Sequence, residues 1–163
     1  VIIDKSIILF LILIVASCNF NQSEPKIVSI GDENIFLELA DTIITDVVIL
    51  NPNNDEWTEY CLRNLDRKIL VDEIFKSVYS GDLIPFEFFY NKPLSISDIK
   101  DLEENPEFSR EKIAKAQFEE AWYYDPVSQQ MTKKVLSIML AYEIYDLQGE
   151  VKGYKPAFKV YLK

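Results

Sequence analysis

Strict alternation of apolar and polar positions dominates the C-terminal third of this chain. Between Ile113 and Tyr124, the residues Ala114, Ala116, Phe118, Trp122 and Tyr124 fall on one face, and Lys115, Gln117 and Glu119 fall on the other. A period of two over that length predicts a strand with one buried side. Residues 125–130 form a turn, and Leu136, Ile138, Leu140, Tyr142 and Ile144 then repeat the alternation across 135–145. A second turn over 146–153, containing Gly149 and Gly153, leads to a third strand over 154–162 built on Phe158, Val160 and Leu162. Three consecutive strands joined by short turns make an antiparallel meander over 112–163, whose apolar face needs a second layer.

Upstream the period changes. Leu70, Val71, Ile74, Phe75 and Val78 lie on one side of a helical pattern within 56–80, and Gly81 stands where a helix commonly ends in the left-handed conformation. The spacing predicts one helix, broken near Asn64, as the cover for the meander. Its other face, with Asp66, Arg67, Asp72, Glu73 and Lys76, is expected in solvent, and Cys61 is expected as a small buried residue. Residues 35–50 are apolar with mixed periodicity and predict a short helix or strand followed by a strand, closed by the turn cluster 51–55. The Phe-rich stretch 83–90 predicts a further strand, which Pro85 confines to a sheet edge. Ser95 caps a short helix over 96–104, with Asp98 placed for a capping box and Asn105-Pro106 stopping it. The expected fold class is α+β, an antiparallel C-terminal meander packed against one or two helices in a single domain over 28–163.

The chain opens differently. An unbroken apolar run over 7–16 is too short to cross a bilayer, which takes about 20 apolar residues, and it fits the core of an export signal. The quartet Val15-Ala16-Ser17-Cys18 resembles the bacterial lipobox, in which the cysteine is acylated and becomes the first residue. That resemblance makes 1–17 a lipoprotein signal peptide, Cys18 the lipidation site and 18–27 a tether. The protein would be anchored to the membrane without spanning it. No acidic run follows Cys18, which points to the periplasm, at the inner face of the outer membrane.

Charge and composition narrow the chemistry. A net charge of -10 disfavours nucleic acid, whose binding depends on Lys and Arg displacing counterions. The chain has no histidine, and Cys61 is its only cysteine besides Cys18, so a Ser-His-Asp triad, a Cys-His pair and a Cys/His zinc site are all missing. Glycoside hydrolysis can run on two carboxylates roughly 5 to 9.5 Å apart. Glu119 and Glu120 are neighbours on a strand, however, and point to opposite faces. Glu120 shares the Phe118 and Trp122 face and is expected to be ion-paired or at an edge. Trp122, Tyr123, Glu120 and Asp125 are the candidate interaction residues, with Trp122 and Tyr124 assigned mainly to the core and Tyr123 to the outside. Asp125, Asp146 and Glu150 sit in turns and offer oxygen ligands of the kind calcium takes, but ordinary turn chemistry accounts for them. No catalytic residue, metal or cofactor is expected.

The block Glu119-Glu120-Ala121-Trp122-Tyr123-Tyr124-Asp125, then Met131, then Val135-Leu136-Ser137-Ile138, and finally Lys155-Pro156-Ala157-Phe158-Lys159-Val160-Tyr161 resembles the C-terminal part of the gliding-motility GldN family. The same family is called PorN in the type IX secretion apparatus of Bacteroidetes. The resemblance extends over about residues 66–163, with Ala121 inserted between the acids and Trp122. It implies a non-catalytic envelope protein that packs against a ring-forming lipoprotein partner below the outer membrane. A lipid-anchored peptide- or glycan-binding domain is the alternative, and it predicts an exposed aromatic groove.

Overall fold

The computed structural model describes residues 27–29, 35–51 and 54–163. The expected signal peptide over 1–17, Cys18 and the expected tether up to residue 26 lie outside the described residues. In chain order the elements are β1 (Ile27–Ser29), β2 (Ile35–Val48), α1 (Glu56–Leu62), α2 (Arg67–Ser80), β3 (Pro85–Phe86), α3 (Ile96–Glu104), a 3-10 turn (Arg110–Lys112), β4 (Ile113–Asp125), β5 (Gln130–Tyr145) and β6 (Val151–Tyr161). The strands form one sheet in the order β1-β2-β4-β5-β6-β3, with every pairing antiparallel. The fold is α+β, and its C-terminal part is the meander that the alternation predicts.

Register explains how the two sheet faces differ. Val47, Ala116, Leu140 and Phe158 lie in one row across the strands, and Thr45, Phe118, Ile138 and Val160 in the next row on the same side. These rows meet Val71, Ile74, Phe75 and Val78 of α2, together with Ile99 of α3 and Phe108, in one core cluster. Phe75 sits at its centre, edge-on to Phe158 at 5.0 Å and tilted against Phe108 at 6.2 Å. An aromatic at the meeting point of three elements buries a large apolar area, which is the main term holding a layer of this size. A bulge at Ala114 shifts the β4 register, so Ile113 as well as Ala116 enters the core. Simple alternation of even positions breaks there.

The opposite face carries a polar lattice in place of a second layer. Asp46 of β2 pairs with Lys115 of β4 at 2.5 Å and accepts from Gln117 at 2.8 Å. Glu119 of β4 accepts from Ser137 of β5 at 2.8 Å and from Lys159 of β6 at 2.6 Å. Four strands are thus stitched by opposite-charge and hydrogen-bonded cross-strand pairs, the contacts that stabilise an antiparallel sheet, and on this face Ser137, Met139 and Ala141 of the central strand β5 are buried.

Helix boundaries follow local chemistry. Asp66 caps α2 by accepting from the Ile69 amide at 2.9 Å, and Gly81 ends it at φ 82° with its N–H on the Val78 carbonyl. A Cβ at Gly81 would meet nothing within 4 Å, so Gly81→Ala carries only the backbone cost of the left-handed conformation. That cost is expected to be about 1 kcal/mol, read as a lower urea midpoint with an unchanged slope. Ser95 and Asp98 form the expected capping box at the start of α3.

Several expectations change. Residues 35–48 form one continuous strand, not two elements, because β4 pairs along nearly its whole length. Ile27, assigned to the tether, opens β1. The helical segment does break near Asn64, but α1 buries no residue, and Cys61 is exposed on it. Of the two halves of this segment only α2 packs on the core, so a small thiol on α1 has nothing to bury against. Arg67 is not free in solvent: its guanidinium donates to the carbonyls of Arg110 and Ile113, both at 3.1 Å. The strand expected over 83–90 shrinks to Pro85–Phe86. Glu87 turns the chain by accepting the Tyr90 amide at 2.6 Å while its own N–H bonds the Lys92 carbonyl at 2.8 Å. Pro85 does lie at the sheet edge, paired only with β6 among the described strands.

Candidate functional site

The site residues lie where the sheet outruns its cover. β6 ends opposite Ser137, whereas β4 and β5 continue to their turn at 126–129. Across this overhang, on the helix-side face, the rows are Ile43, Glu120 and Val135, then Ala40, Trp122 and Lys133, then Leu37, Tyr124 and Met131. Val135 still packs against the core cluster, while Trp122 and Tyr124 are half-buried and lie outside it. Trp122 and Tyr124 therefore do not serve the core as expected. They extend its apolar face beyond the helices.

Glu120 organises this extension. Its carboxylate, with a side chain 13% exposed, accepts from the Trp122 indole N–H at 3.1 Å and from the Thr45 hydroxyl at 3.4 Å, and it lies 3.6 Å from the Lys133 ammonium. Lys133 also rests 4.2 Å from the centre of the Trp122 ring, a cation–π contact that covers one ring face. The carboxylate is thus ion-paired, as a charge on an apolar face requires. One face of the indole is already occupied by the protein's own cation.

Glu119 projects to the other side of the sheet, into the pair with Ser137 and Lys159. Burial alone pushes its carboxyl upward, but the hydrogen bonds from Lys159 and Ser137 outweigh burial and hold it below the ordinary carboxylate range. Adjacent acids on β4 therefore face apart, each with its own cation, and do not converge on a shared substrate. Glu103 binds the Arg110 guanidinium at 2.6 Å and accepts from the Tyr79 hydroxyl. Burial and that carboxylate push the Tyr79 phenol up to about 12. This cluster fastens α3 and the 3-10 turn to α2.

Tyr123 is half-buried and lies on the face opposite Trp122, in a row with Glu38 and Thr132. The structure thus brings Glu120 and Trp122 together and separates Tyr123 from them. Asp125 is spent on its own turn: it accepts from the Val127 amide at 2.8 Å and the Ser128 hydroxyl at 2.6 Å, and these bonds hold its carboxyl low. Asp146 does the same for the β5–β6 turn, accepting from the Gln148 and Glu150 amides at 2.9 Å each. The two turns lie at opposite ends of β5, so Asp125 cannot share a ligand with Asp146 and Glu150.

Sequence reasoning missed Lys133, Thr45 and Lys159. Bulges in β2 and at the Glu119–Glu120 step set which residues lie beside them, and no local pattern announces a bulge. Glu143 was also missed. It reads as the polar member of an alternating strand yet is 3% exposed, with one carboxylate oxygen on the Tyr145 hydroxyl and the other without a partner among the described residues.

No protein-family model matches the chain, and no curated protein matches it either.

Proposed function

We propose that this chain is a non-catalytic, lipid-anchored protein of the bacterial periplasm that works by holding another envelope protein. In this reading the role is that of a gliding-motility or type IX secretion ring subunit, and the partner is a ring-forming lipoprotein. The observation that carries it is the overhang: a hairpin extends an aromatic face past the core, with Trp122 held by Glu120 and Lys133. A preorganised Trp held by a largely buried carboxylate is the usual make-up of a binding hot spot. The α+β fold accords with the likeness to the GldN family over the meander. No helix among the described residues is long and apolar enough to cross a membrane. The anchor in this reading is the set of acyl chains expected at Cys18 from the lipobox likeness.

Two measurements test the halves of this proposal separately. Cys18→Ser is expected to move the protein from the membrane fraction to the soluble periplasmic fraction, and equal membrane association of the variant would remove the anchor. Trp122→Ala is expected to abolish the crosslink to an envelope partner in native cells while circular dichroism stays unchanged. An unaltered crosslinking pattern would remove the overhang as the docking surface.

A further inference from the structure

A second surface stands apart from the overhang. β1 covers β2 only at Ile35–Leu37, and β4 occupies the other side of the strand. From Ile43 to Val48 the outer edge of β2 therefore has no strand beside it among the described residues. The irregularities of β2 all fall before Ile43, and from there to Val48 its register against β4 runs unbroken. Natural sheets defend such an edge with lysine, proline or a bulge. The segment Ile43-Ile44-Thr45-Asp46-Val47-Val48 contains none of these.

Its own residues carry only negative charge, and among the described residues the one cation beside it is Lys115 of β4, paired to Asp46. No Lys or Arg occurs between Lys26 and Arg63, while Glu38, Asp41, Asp46, Asp55, Glu56 and Glu59 all lie in that stretch. Ile44 is 61% exposed and Val48 38%, and both share with Asp46 the face turned away from the helices. An acidic, β-branched, undefended edge is complementary to one kind of occupant.

We propose that the outer edge of β2 between Ile43 and Val48 accepts an extended basic segment of a partner protein as an added strand. Main-chain hydrogen bonds supply the attachment, and alternate side chains supply the selectivity. The favoured segment reads apolar, basic, apolar at alternate positions, so that its apolar residues lie against Ile44 and Val48 and its cation reaches the exposed side of Asp46, which it shares with Lys115, in a field to which Asp41 adds. A second copy of this chain fits poorly, because it brings a like-charged edge and a net charge of -10 against its own kind. This inference depends on neither the lipid anchor nor Trp122.

The test uses the full chain and two capped synthetic peptides, Thr-Val-Thr-Lys-Thr-Val-Thr and its Lys→Glu counterpart. Amide hydrogen exchange is followed at residues 43–48. The lysine peptide is expected to slow exchange there at least tenfold, and to lose that effect in 0.5 M salt and in the variant Asp41→Lys/Ile44→Lys. Both substituted residues are exposed, and an unchanged melting curve verifies the variant's fold. Equal protection by the glutamate peptide overturns the proposal. So does protection already complete in the peptide-free monomer, which means the chain covers its own edge, or protection that rises with protein concentration alongside a dimer in ultracentrifugation.

Discussion

Phe75→Ala is expected to destabilise the domain by about 3–5 kcal/mol, the range for truncating a fully buried aromatic. Phe75 is 0% exposed and joins α2 to β6 through Phe158 and to the loop before β4 through Phe108. The Arg110 guanidinium also lies 4.2 Å from the centre of its ring. Removing the ring opens a cavity bounded by three elements that cannot all move inward at once, and it uncovers one side of Arg110. Against a typical total of about 5–15 kcal/mol, this is enough to bring a marginal domain close to its unfolding midpoint at 37 °C. Urea unfolding of Phe75→Ala and Phe75→Leu should show the alanine variant losing the most and the leucine variant recovering part of it. Equal stability of wild type and alanine variant would mean that α2 is not the cover of the sheet.

The next largest effect is expected at Lys159. Its ammonium lies 2.6 Å from Glu119, with side-chain exposures of 12% and 23%. Lys159→Met leaves a half-desolvated carboxylate facing only Ser137. Breaking a buried pair from one side costs about 3–5 kcal/mol, and partial exposure of Glu119 lowers the expectation to about 2–3 kcal/mol at pH 7. The sign of the pH dependence follows from the two shifts. Glu119 is depressed in the folded protein, so its stabilisation is complete above the unfolded carboxylate value of about 4.3 and disappears as pH falls through the lower folded value. For Lys159, burial acts downward but the bonds to Glu119 outweigh it and raise the amine. Its stabilisation is therefore complete below about pH 10.4 and fades as pH rises through the raised value. The gap between wild type and Lys159→Met should be widest across the neutral plateau and narrow toward pH 3, where the lone carboxyl can take a proton. An equal gap at pH 3 and pH 7 would show that the pair contributes packing and no charge interaction.

What could be read in the chain was local. The alternation of β4 and β5, the apolar stripe of α2, the Gly81 stop and the Ser95–Asp98 box each depend on residues a few positions apart, and they appear, with the alternation interrupted at the bulges near Ala114 and Leu136. What could not be read depends on which strand lies beside which. Cys61 looked like core because it stands in a helical pattern, but α1 packs no residue inward, and only the tertiary arrangement decides that. The 83–90 segment had strand composition, yet Glu87 offered its carboxylate to the Tyr90 amide and closed a turn before a ladder could extend. Glu120 was expected to need a partner. That the partners are Thr45 and Lys133 follows from bulges in β2 and β5, which carry no signature of their own.

The joining of β2 to β4 has a consequence for how the molecule assembles. Thr45 and Glu120 are separated by 75 positions and Asp46 and Gln117 by 71, whereas β4, β5 and β6 are linked by short turns. Closing the longer loop carries the greater entropic cost, and long-range pairing is the slow part of sheet formation. The three C-terminal strands are therefore expected to pair first and β2 last, so that β2 slows folding more than the meander does.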